Sequence, residues 1–222
     1  MRILLSIAAL AASFAPNSSA YVYKYDTDAP IFSTMGLSNH VIAVGYQATS
    51  PHTMISGMQF WNFSNVANGH AASFHLWSDP NNDGIINNAQ VIQTVNTTIN
   101  APAPRGNWQT IVFPATTAFA PGDWFYVGIS FYDPTFSYFL GGNDTTVAAN
   151  GLSWTIGFAG PGAGDPNNLG SGSITRYDGS GGANGVLMVR GLTPDETSAP
   201  EPGTAALAAA GILVALRLRA RR

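Results

Sequence analysis

Residues 71–97 read AASFHLWSDPNNDGIINNAQVIQTVNT, and their pattern of strand, turn and strand recurs along the chain. Ala71–Trp77 carries aromatic residues and Gln90–Thr97 carries β-branched residues, and both compositions are typical of strands. The segment between them, 79–88, is built from Asp, Pro, Asn and Gly, which turns favour. This stretch therefore predicts two strands joined by an ordered polar loop.

The same alternation continues on both sides of residues 71–97. No long 3.6-residue periodicity interrupts it, so helices are not expected in this part of the chain. Short strands at this spacing indicate a sandwich or a barrel, and we expect an all-β fold, a single β-sandwich of jelly-roll type over residues 21–195. Further strands are predicted at Val41–Ala48, Met54–Phe63, Trp108–Phe113, Trp124–Phe131, Ser137–Leu140, Leu152–Phe158 and Gly185–Arg190.

Two Gly- and Asn-rich segments predict connections without strands. Gly141–Asp144 is expected to be a turn. Gly160–Gly185 is expected to be a long surface loop, a kind of segment that often carries binding residues. Within it, Asp165–Asn168 repeats the Asp-Pro-Asn-Asn order of Asp79–Asn82, which we interpret as shared turn chemistry.

The loop that begins at Asp79 has the residue order of a metal-binding loop. Oxygen-bearing side chains alternate with other residues, a glycine then permits a sharp turn, and an isoleucine carbonyl follows, as in the first half of an EF-hand-type calcium loop. A glutamine stands at the twelfth position, where a bidentate glutamate is expected, and Asn87 or Asn88 is a further oxygen donor. A plain polar hairpin loop is the alternative. The predicted calcium ligands are Asp79, Asn81, Asp83, Ile85 and Gln90.

Charge and cysteine content restrict the function classes. Residues 21–199 hold four of the nine basic residues and eleven of the twelve acidic residues, a net charge of −7. This balance argues against nucleic acid and anionic lipid as partners and is compatible with cation binding. The chain has no cysteine, which excludes disulfides, thiolate metal sites and cysteine nucleophiles within it.

The N-terminus has the three parts of a secretory signal peptide. Arg2 supplies the positive charge, residues 3–10 supply the apolar segment, and Ser18, Ser19 and Ala20 supply small residues at the cleavage site. We expect a signal peptidase to remove residues 1–20, so that the protein is exported through an inner membrane.

The C-terminus has a second set of targeting features. A Pro-Glu-Pro element at Pro200, Glu201 and Pro202 precedes the apolar segment 203–216, and arginines dominate the last six residues. As a helix the apolar segment is about 21 Å long, which is short for a membrane span and suits transient insertion. The arginines are expected on the cytoplasmic side.

This C-terminal order resembles the PEP-CTERM sorting tail of Gram-negative bacteria. The resemblance covers residues 196–222 and implies that Pro200, Glu201 and Pro202 are recognised by an exosortase. It also implies an exported protein of the cell envelope, cell surface or extracellular matrix, associated with exopolysaccharide or biofilm. Residues 55–192 resemble, more loosely, the jelly-roll modules of secreted bacterial proteins.

A search for catalytic residues finds no convincing set. The aspartates at 123, 133 and 144 have turn contexts, Glu196 is the only glutamate of residues 21–199, and neither a Gly-x-Ser-x-Gly nor a His-Glu-x-x-His motif occurs. His75 alternates with Phe74 and Leu76 and is interpreted as a surface strand residue. We therefore expect a protein that is not an enzyme.

Aromatic pairs such as Phe60-Trp61 and Phe131-Tyr132 have two interpretations. They either place rings on an exposed glycan-binding face or fill the sandwich core, and the core is favoured. The leading function is a structural or adhesive exported protein, whose association with extracellular polysaccharide is what the PEP-CTERM resemblance implies. The alternatives are a carbohydrate-binding module with a structural calcium and an envelope hydrolase.

Overall fold

The computed structural model describes residues 21–28, 31–32, 39–62, 68–100, 107–131, 142–146, 148, 150–159, 164–177 and 185–194. All of them belong to one compact unit, Tyr21–Pro194. The predicted signal peptide, the predicted strand at 137–140 and the whole predicted sorting tail, including its helix, lie outside the described residues.

Strands dominate the part of the chain that the structure describes, and no α-helix occurs there. Two short 3-10 helices, at Ile86–Asn88 and Leu169–Ser171, follow the two Asp-Pro-Asn-Asn sequences. The strands are β1 (Val22–Tyr23), β2 (Ile31–Phe32), β3 (His40–Gln47), β4 (Met54–Asn62), β5 (Ala71–Ser78), β6 (Gln90–Thr98), β7 (Asn107–Ala118), β8 (Trp124–Phe131), β9 (Gly142–Asp144), β10 (Ser153–Gly157), β11 (Ser173–Arg176), β12 (Val186–Leu187) and β13 (Val189–Leu192).

The strands form two main antiparallel sheets, as the all-β prediction requires. One sheet has four strands in the order β1-β13-β4-β7, and the other has six in the order β11-β10-β3-β8-β5-β6. A small sheet, β12-β9-β2, accompanies them. The helices of the described residues include none long and apolar enough to cross a membrane.

The hairpin predicted from residues 71–97 is confirmed. β5 pairs with β6 from Ala71 opposite Thr98 to Ser78 opposite Gln90, with an irregularity between Leu76 and Trp77. β5 also pairs with β8 on its other side. The hairpin therefore forms one margin of the six-stranded sheet, with β6 as its last strand.

The main core lies between the two large sheets. On β3, Ile42 and Val44 point into it, and on β8 Phe125 and Val127 do the same, with Phe60 entering from β4. Each of these side chains is at most 2% exposed. Burying a side chain of this size contributes roughly 1.5–3 kcal/mol, so the facing sheets supply most of the apolar stabilisation.

A second apolar cluster covers the outer face of the six-stranded sheet. Trp77 and Tyr126 alternate with the main-core residues of their strands, and Ile86 and Leu169 from the two 3-10 helices pack on them. The prediction of a long surface loop at 160–185 is therefore wrong for residues 169–176. Leu169 is fully buried and Ser173–Arg176 pairs with β10, because this segment supplies apolar residues that cover the sheet.

Three other short strands escaped the sequence pattern. β1 and β2 have two residues each, which is too short for alternation to be recognised. β9 falls on Gly142–Asp144, where a turn was predicted. The strand exists there because it pairs with β2 and β12, and this pairing is not encoded in its own composition.

Candidate functional site

The Asp79 loop is ordered by its own side chains. Asp79 is 7% exposed, and its carboxylate accepts the N–H of Asn82 at 3.1 Å and the N–H of Gly84 at 2.8 Å. Tyr126 donates its hydroxyl to the same carboxylate at 3.3 Å. Burial and the nearby Asp79 charge raise the pKa of Tyr126, so its hydroxyl stays protonated and remains a donor. Asp79 thus acts as the internal cap of this loop.

The other predicted calcium ligands share the loop but are exposed. Asn81 donates to a carboxylate oxygen of Asp83 at 2.8 Å, and the N–H of Ile85 donates to its other oxygen at 2.7 Å. Gln90 begins β6 opposite Ser78. No three His, Cys, Asp or Glu side chains of the described residues come close enough together to hold a metal ion. Calcium binding here stays a prediction.

The two Asp-Pro-Asn-Asn sequences do form related turns. Asp165 accepts the N–H of Asn167 on its side chain at 2.8 Å and the N–H of Asn168 on its carbonyl at 3.0 Å, while the Asp79 carbonyl accepts Asn82 at 3.2 Å. Trp77 from the neighbouring strand donates its indole N–H to the Pro166 carbonyl at 2.8 Å. The second turn therefore helps to close the outer apolar cluster.

A hydrogen-bonded row of Thr94, His75 and Ser130 crosses the same sheet. The two ring nitrogens of His75 lie 2.9 Å from Thr94 Oγ1 and 2.8 Å from Ser130 Oγ. His75 is 1% exposed, and burial lowers its pKa from 6.5 to about 4. The interpretation of His75 as a surface residue is wrong, because strands on both sides and the Trp77 ring at 4.9 Å enclose it.

The Ser130–His75 contact has the atoms of a nucleophile and its base, but its setting is structural. Ser130 lies opposite Val41 on one neighbouring strand and opposite Ser73 on the other. The backbone N–H groups around it therefore take part in the two strand ladders and are not directed at a developing oxyanion, which acyl transfer requires. We assign the row to holding β5, β6 and β8 together.

Two aspartates considered as catalytic candidates are satisfied within turns. Asp123 accepts the N–H of Ala120 at 2.8 Å. Asp144 is fully buried and accepts the N–H and hydroxyl groups of Thr27 and Thr146 at 2.5 to 2.9 Å. Burial alone would raise the pKa of Asp144, but these hydrogen bonds lower it below its ordinary value. Asp133 lies outside the described residues.

A polar cleft lies where the edges of the two large sheets meet. The turn residues Asn68 and Gly69, the end of β6 at 97–100 and the start of β7 at 108–110 line it. We call it the β6–β7 cleft, and its volume is about 450 Å³. The described residues that line it carry hydroxyl, amide and indole groups and no charge. Such a surface suits an uncharged ligand rich in hydroxyl groups.

Gln109 fixes the floor of this cleft. Its side-chain oxygen accepts the amide of Asn62 at 3.1 Å and the N–H of Asn100 at 2.9 Å, and its nitrogen donates to the Thr98 carbonyl at 2.9 Å. Asn62 also donates to the Asn100 carbonyl at 2.7 Å. One buried amide thus joins β4, β6 and β7, so the cleft is largely pre-formed.

Polar atoms beside this floor remain without partners. In the described part of the chain, Asn62 Oδ1, Asn107 Oδ1 and Trp61 Nε1 are buried and accept or donate no hydrogen bond. An unsatisfied buried polar group costs roughly 1–3 kcal/mol, so its retention needs an explanation. Three such atoms lie close together where Asn62 at the end of β4 pairs with Asn107 at the start of β7.

Trp108 is the aromatic wall of the cleft, and charged groups hold it from behind. The Arg190 guanidinium lies 3.7 Å from the centre of its ring, and Trp61 packs against it edge to face at 5.2 Å. Arg190 pairs with Asp26 and Asp28. Hydrogen bonds from Lys24 and Arg190 lower the pKa of Asp28, so its carboxylate stays charged. The positive charge of Arg190 behind Trp108 is therefore compensated by these two aspartates.

The aromatic predictions divide between core and surface. Phe60 and Phe131 are each 2% exposed and belong to the main core, as the favoured interpretation required. Trp61 is half-buried and pairs with Trp108 across β4 and β7. Sequence alone did not single out Trp108, because its partners come from β4 and β13. The sorting residues Pro200, Glu201 and Pro202 lie outside the described residues.

Comparisons with known proteins bear on the fold. No protein-family model matches this chain, and no curated protein matches it. The chain is similar to a solved structure titled as the cysteine protease and lectin-like domains of Cwp84, a surface layer associated protein of Clostridium difficile. The TM-score is 0.51 with 12% sequence identity.

The similarity to Cwp84 has a limited extent. It covers 82% of this chain but 37% of that chain, so this protein spans little more than a third of the neighbour's length. At this identity the likeness concerns the backbone fold alone. It places the sandwich among folds that occur in a surface-associated protein and transfers no residue role.

Proposed function

We propose that this chain is an exported, non-enzymatic structural or adhesive protein of the cell envelope or extracellular matrix, whose jelly-roll sandwich binds extracellular polysaccharide. The proposal includes sorting by an exosortase through Pro200, Glu201 and Pro202 after a signal peptidase removes residues 1–20. The observation that carries it is the β6–β7 cleft, whose described lining combines Trp108 with amide and hydroxyl side chains and includes no charged residue.

Polysaccharides are recognised by the groups that this cleft offers. Their hydroxyls both donate and accept hydrogen bonds, as do the side chains of Asn, Gln and Thr. Their apolar ring faces pack on aromatic rings, which are large hydrophobic surfaces with a polar edge. A pre-formed cleft also limits the entropy lost when a ligand binds.

The adhesive function is tested by binding of the full chain to immobilised polysaccharides. We expect the protein purified from its native host to be retained on at least one neutral polysaccharide in a broad glycan panel. A version with Thr116→Ala, which changes an exposed residue of β7 outside the cleft, serves as the matched control. Failure to bind any glycan in the panel would remove the adhesive proposal.

The sorting step is tested separately by cell fractionation and mass spectrometry. We expect the mature protein in the envelope or matrix fraction, beginning at Tyr21 and ending near Pro200. Recovery of the intact C-terminus through Arg222 would instead indicate a retained membrane anchor and contradict exosortase processing.

A second candidate is a carbohydrate-binding module with a structural calcium at the Asp79 loop. The alternating Asp79, Asn81 and Asp83 side chains on one ordered turn favour it. Because calcium would bind the folded state, it would raise the melting temperature, and the rise would grow with the ratio of the calcium concentration to the dissociation constant. We expect a lower melting temperature in chelator than in calcium, and equal melting temperatures would remove the metal.

A further inference from the structure

A second cavity lies next to the β6–β7 cleft, on the outer face of the six-stranded sheet. Its walls are the start of β5 at 71–73, the end of β6 at 96–98 and Ser130 of β8, and its volume is about 480 Å³. We call it the outer cavity. Ser73 donates its hydroxyl to Asn96 at 2.7 Å across it, so a row of polar groups spans its floor.

The two cavities share a wall. Thr97 and Thr98 line both of them, and both residues are exposed. β6 is the last strand of its sheet, so no further strand of that sheet lies between the outer cavity and the β6–β7 cleft. Each cavity alone falls within the 300–1,000 Å³ that is typical of small-molecule sites. If the two cavities are joined, they form one groove that is longer than a single small ligand.

The groove is uncharged along its described length. Asn96 and Ser130 line its outer part, Asn68 and Gln109 line its inner part, and no lining residue that the structure describes is acidic or basic. The domain around it carries a net charge of −7 over residues 21–199, which repels polyanions. Arg190, whose guanidinium packs on the Trp108 ring, is already paired with two carboxylates. The described lining therefore favours neutral polymers over acidic ones.

We propose that the β6–β7 cleft and the outer cavity form one continuous groove that binds an internal stretch of a linear, uncharged polysaccharide. Trp108 packs against one sugar ring, and the amides and hydroxyls on both sides of Thr97 and Thr98 bind the neighbouring units. The inference rests on the polysaccharide-binding function proposed above and adds its site, the charge of its ligand and the need for several sugar units.

The test uses isothermal titration calorimetry on the full-length protein in detergent. The probes are neutral β-linked oligosaccharides of glucose, xylose, mannose and galactose, each from two to six units long, and oligouronates of the same lengths. We expect at least one neutral series in which affinity rises tenfold or more from the shortest to the longest member. We expect no measurable binding of the oligouronates.

Three variants locate the site. Trp108→Ala is expected to weaken binding of short and long members at least tenfold, whereas Asn96→Ala is expected to weaken only the long ones. Thr116→Ala changes an exposed residue of β7 outside both cavities and is expected to bind like the unchanged protein. Trp61→Ala removes the partner tryptophan that does not line the groove, and it controls for loss of packing against Trp108.

The outcomes distinguish failure of the proposed groove from failure of the proposed polysaccharide-binding function. Binding that is independent of length, that prefers oligouronates, or that survives both Trp108→Ala and Asn96→Ala overturns the groove while polysaccharide binding stands. An absence of binding to every neutral and acidic polysaccharide contradicts the proposed function together with the groove. If Trp108→Ala does not fold, the length-dependent effect of Asn96→Ala still decides.

Discussion

Gln109 illustrates at the scale of a single residue how a buried amide positions a surface site. It is 9% exposed, and its three hydrogen bonds reach β4 and the end of β6 from β7. A hydrocarbon of similar size would fill the same volume but leave Asn62, Asn100 and the Thr98 carbonyl without these partners. The residue therefore couples the stability of the sandwich edge to the shape of the β6–β7 cleft.

Gln109→Leu is expected to lower the free energy of unfolding by about 1–3 kcal/mol, because it leaves buried polar groups unsatisfied. It is also expected to weaken glycan binding more than Gln59→Ala, because the half-buried Gln59 donates to Thr110 and takes no part in this network. Urea denaturation and calorimetry check the two effects. Equal stability of Gln109→Leu and Gln59→Ala would show that the network does not hold the cleft.

His75 gives the protein a defined response to acid. Its pKa is about 4 in the folded protein and near 6.5 in the unfolded chain, so the unfolded chain binds more protons between these values. The resulting stability is complete above pH 6.5 and is lost as the pH falls toward 4. The full loss is on the order of 3 kcal/mol.

We expect urea denaturation at pH 7 and pH 4.5 to show this difference in unchanged protein and in His52→Gln. His75→Gln lacks the titrating group and is expected to be less stable at pH 7 but nearly insensitive to pH across the same interval. An unchanged pH dependence in His75→Gln would assign the acid response to other groups. The carboxylates Asp28 and Asp144 have lowered pKa values and act only at more acidic pH.

At the scale of elements, the β5–β6 hairpin and its loop form one cooperative unit. Asp79 caps the loop internally, and Ile86, seven residues later, is fully buried in the outer apolar cluster. A polar segment is thus held at one end by hydrogen bonds and at the other by apolar packing. This arrangement makes the loop a structural element whether or not a metal binds it.

Asp79→Ala is expected to lower the free energy of unfolding by about 1–3 kcal/mol, since the N–H groups of Asn82 and Gly84 lose their acceptor. Asn81→Ala changes an exposed residue of the same turn and is expected to have an effect below about 0.5 kcal/mol in the absence of calcium. Thermal melts of both variants, each with calcium and with chelator, separate capping from metal binding. A calcium-dependent loss in Asn81→Ala would support the metal site.

The hairpin was predictable and the groove was not, for a physical reason. Residues 71–97 show local strand composition and local turn chemistry, and both are encoded within a few neighbouring residues. The groove instead requires the cavity lined by Ser73 and Asn96 to lie beside the cleft lined by Trp108, which depends on the pairing of β5 with β6 and on the packing of β7 beside β6. β11 was missed for the same reason. Its Ile174 is recognisable as a strand residue only from its pairing with Ile156 of β10.

At the scale of the whole molecule, the two ends of the described unit are joined. β1 pairs with β13, and Tyr21 N–H donates to Thr193 Oγ1 at 2.8 Å while the Thr193 N–H donates back to Tyr21 O at 3.1 Å. The Arg190 pairs with Asp26 and Asp28 reinforce this contact. The segment that would follow a removed signal peptide is therefore part of the folded sheet.

Asp26→Asn is expected to lower the free energy of unfolding by about 3 kcal/mol, because the buried Arg190 loses its main charge partner. Lys24→Gln removes only an exposed ion pair with Asp28. It is expected to change the free energy of unfolding by less than about 1 kcal/mol. Chemical denaturation of both variants checks the difference. Comparable losses in the two would contradict the central role of the buried pair.

The pairing of β4 with β13 also determines how the sandwich would carry mechanical load. Leu192, the last residue of β13, lies opposite Gly57 near the middle of β4, and Asn62 with the floor of the groove lies at the end of β4, roughly 17 Å away at 3.3 Å per residue. A polymer held in the groove and a tether continuing from Pro194 would pull in opposite directions along these strands. The force would load the ladder hydrogen bonds in shear, all at once, instead of opening them one by one.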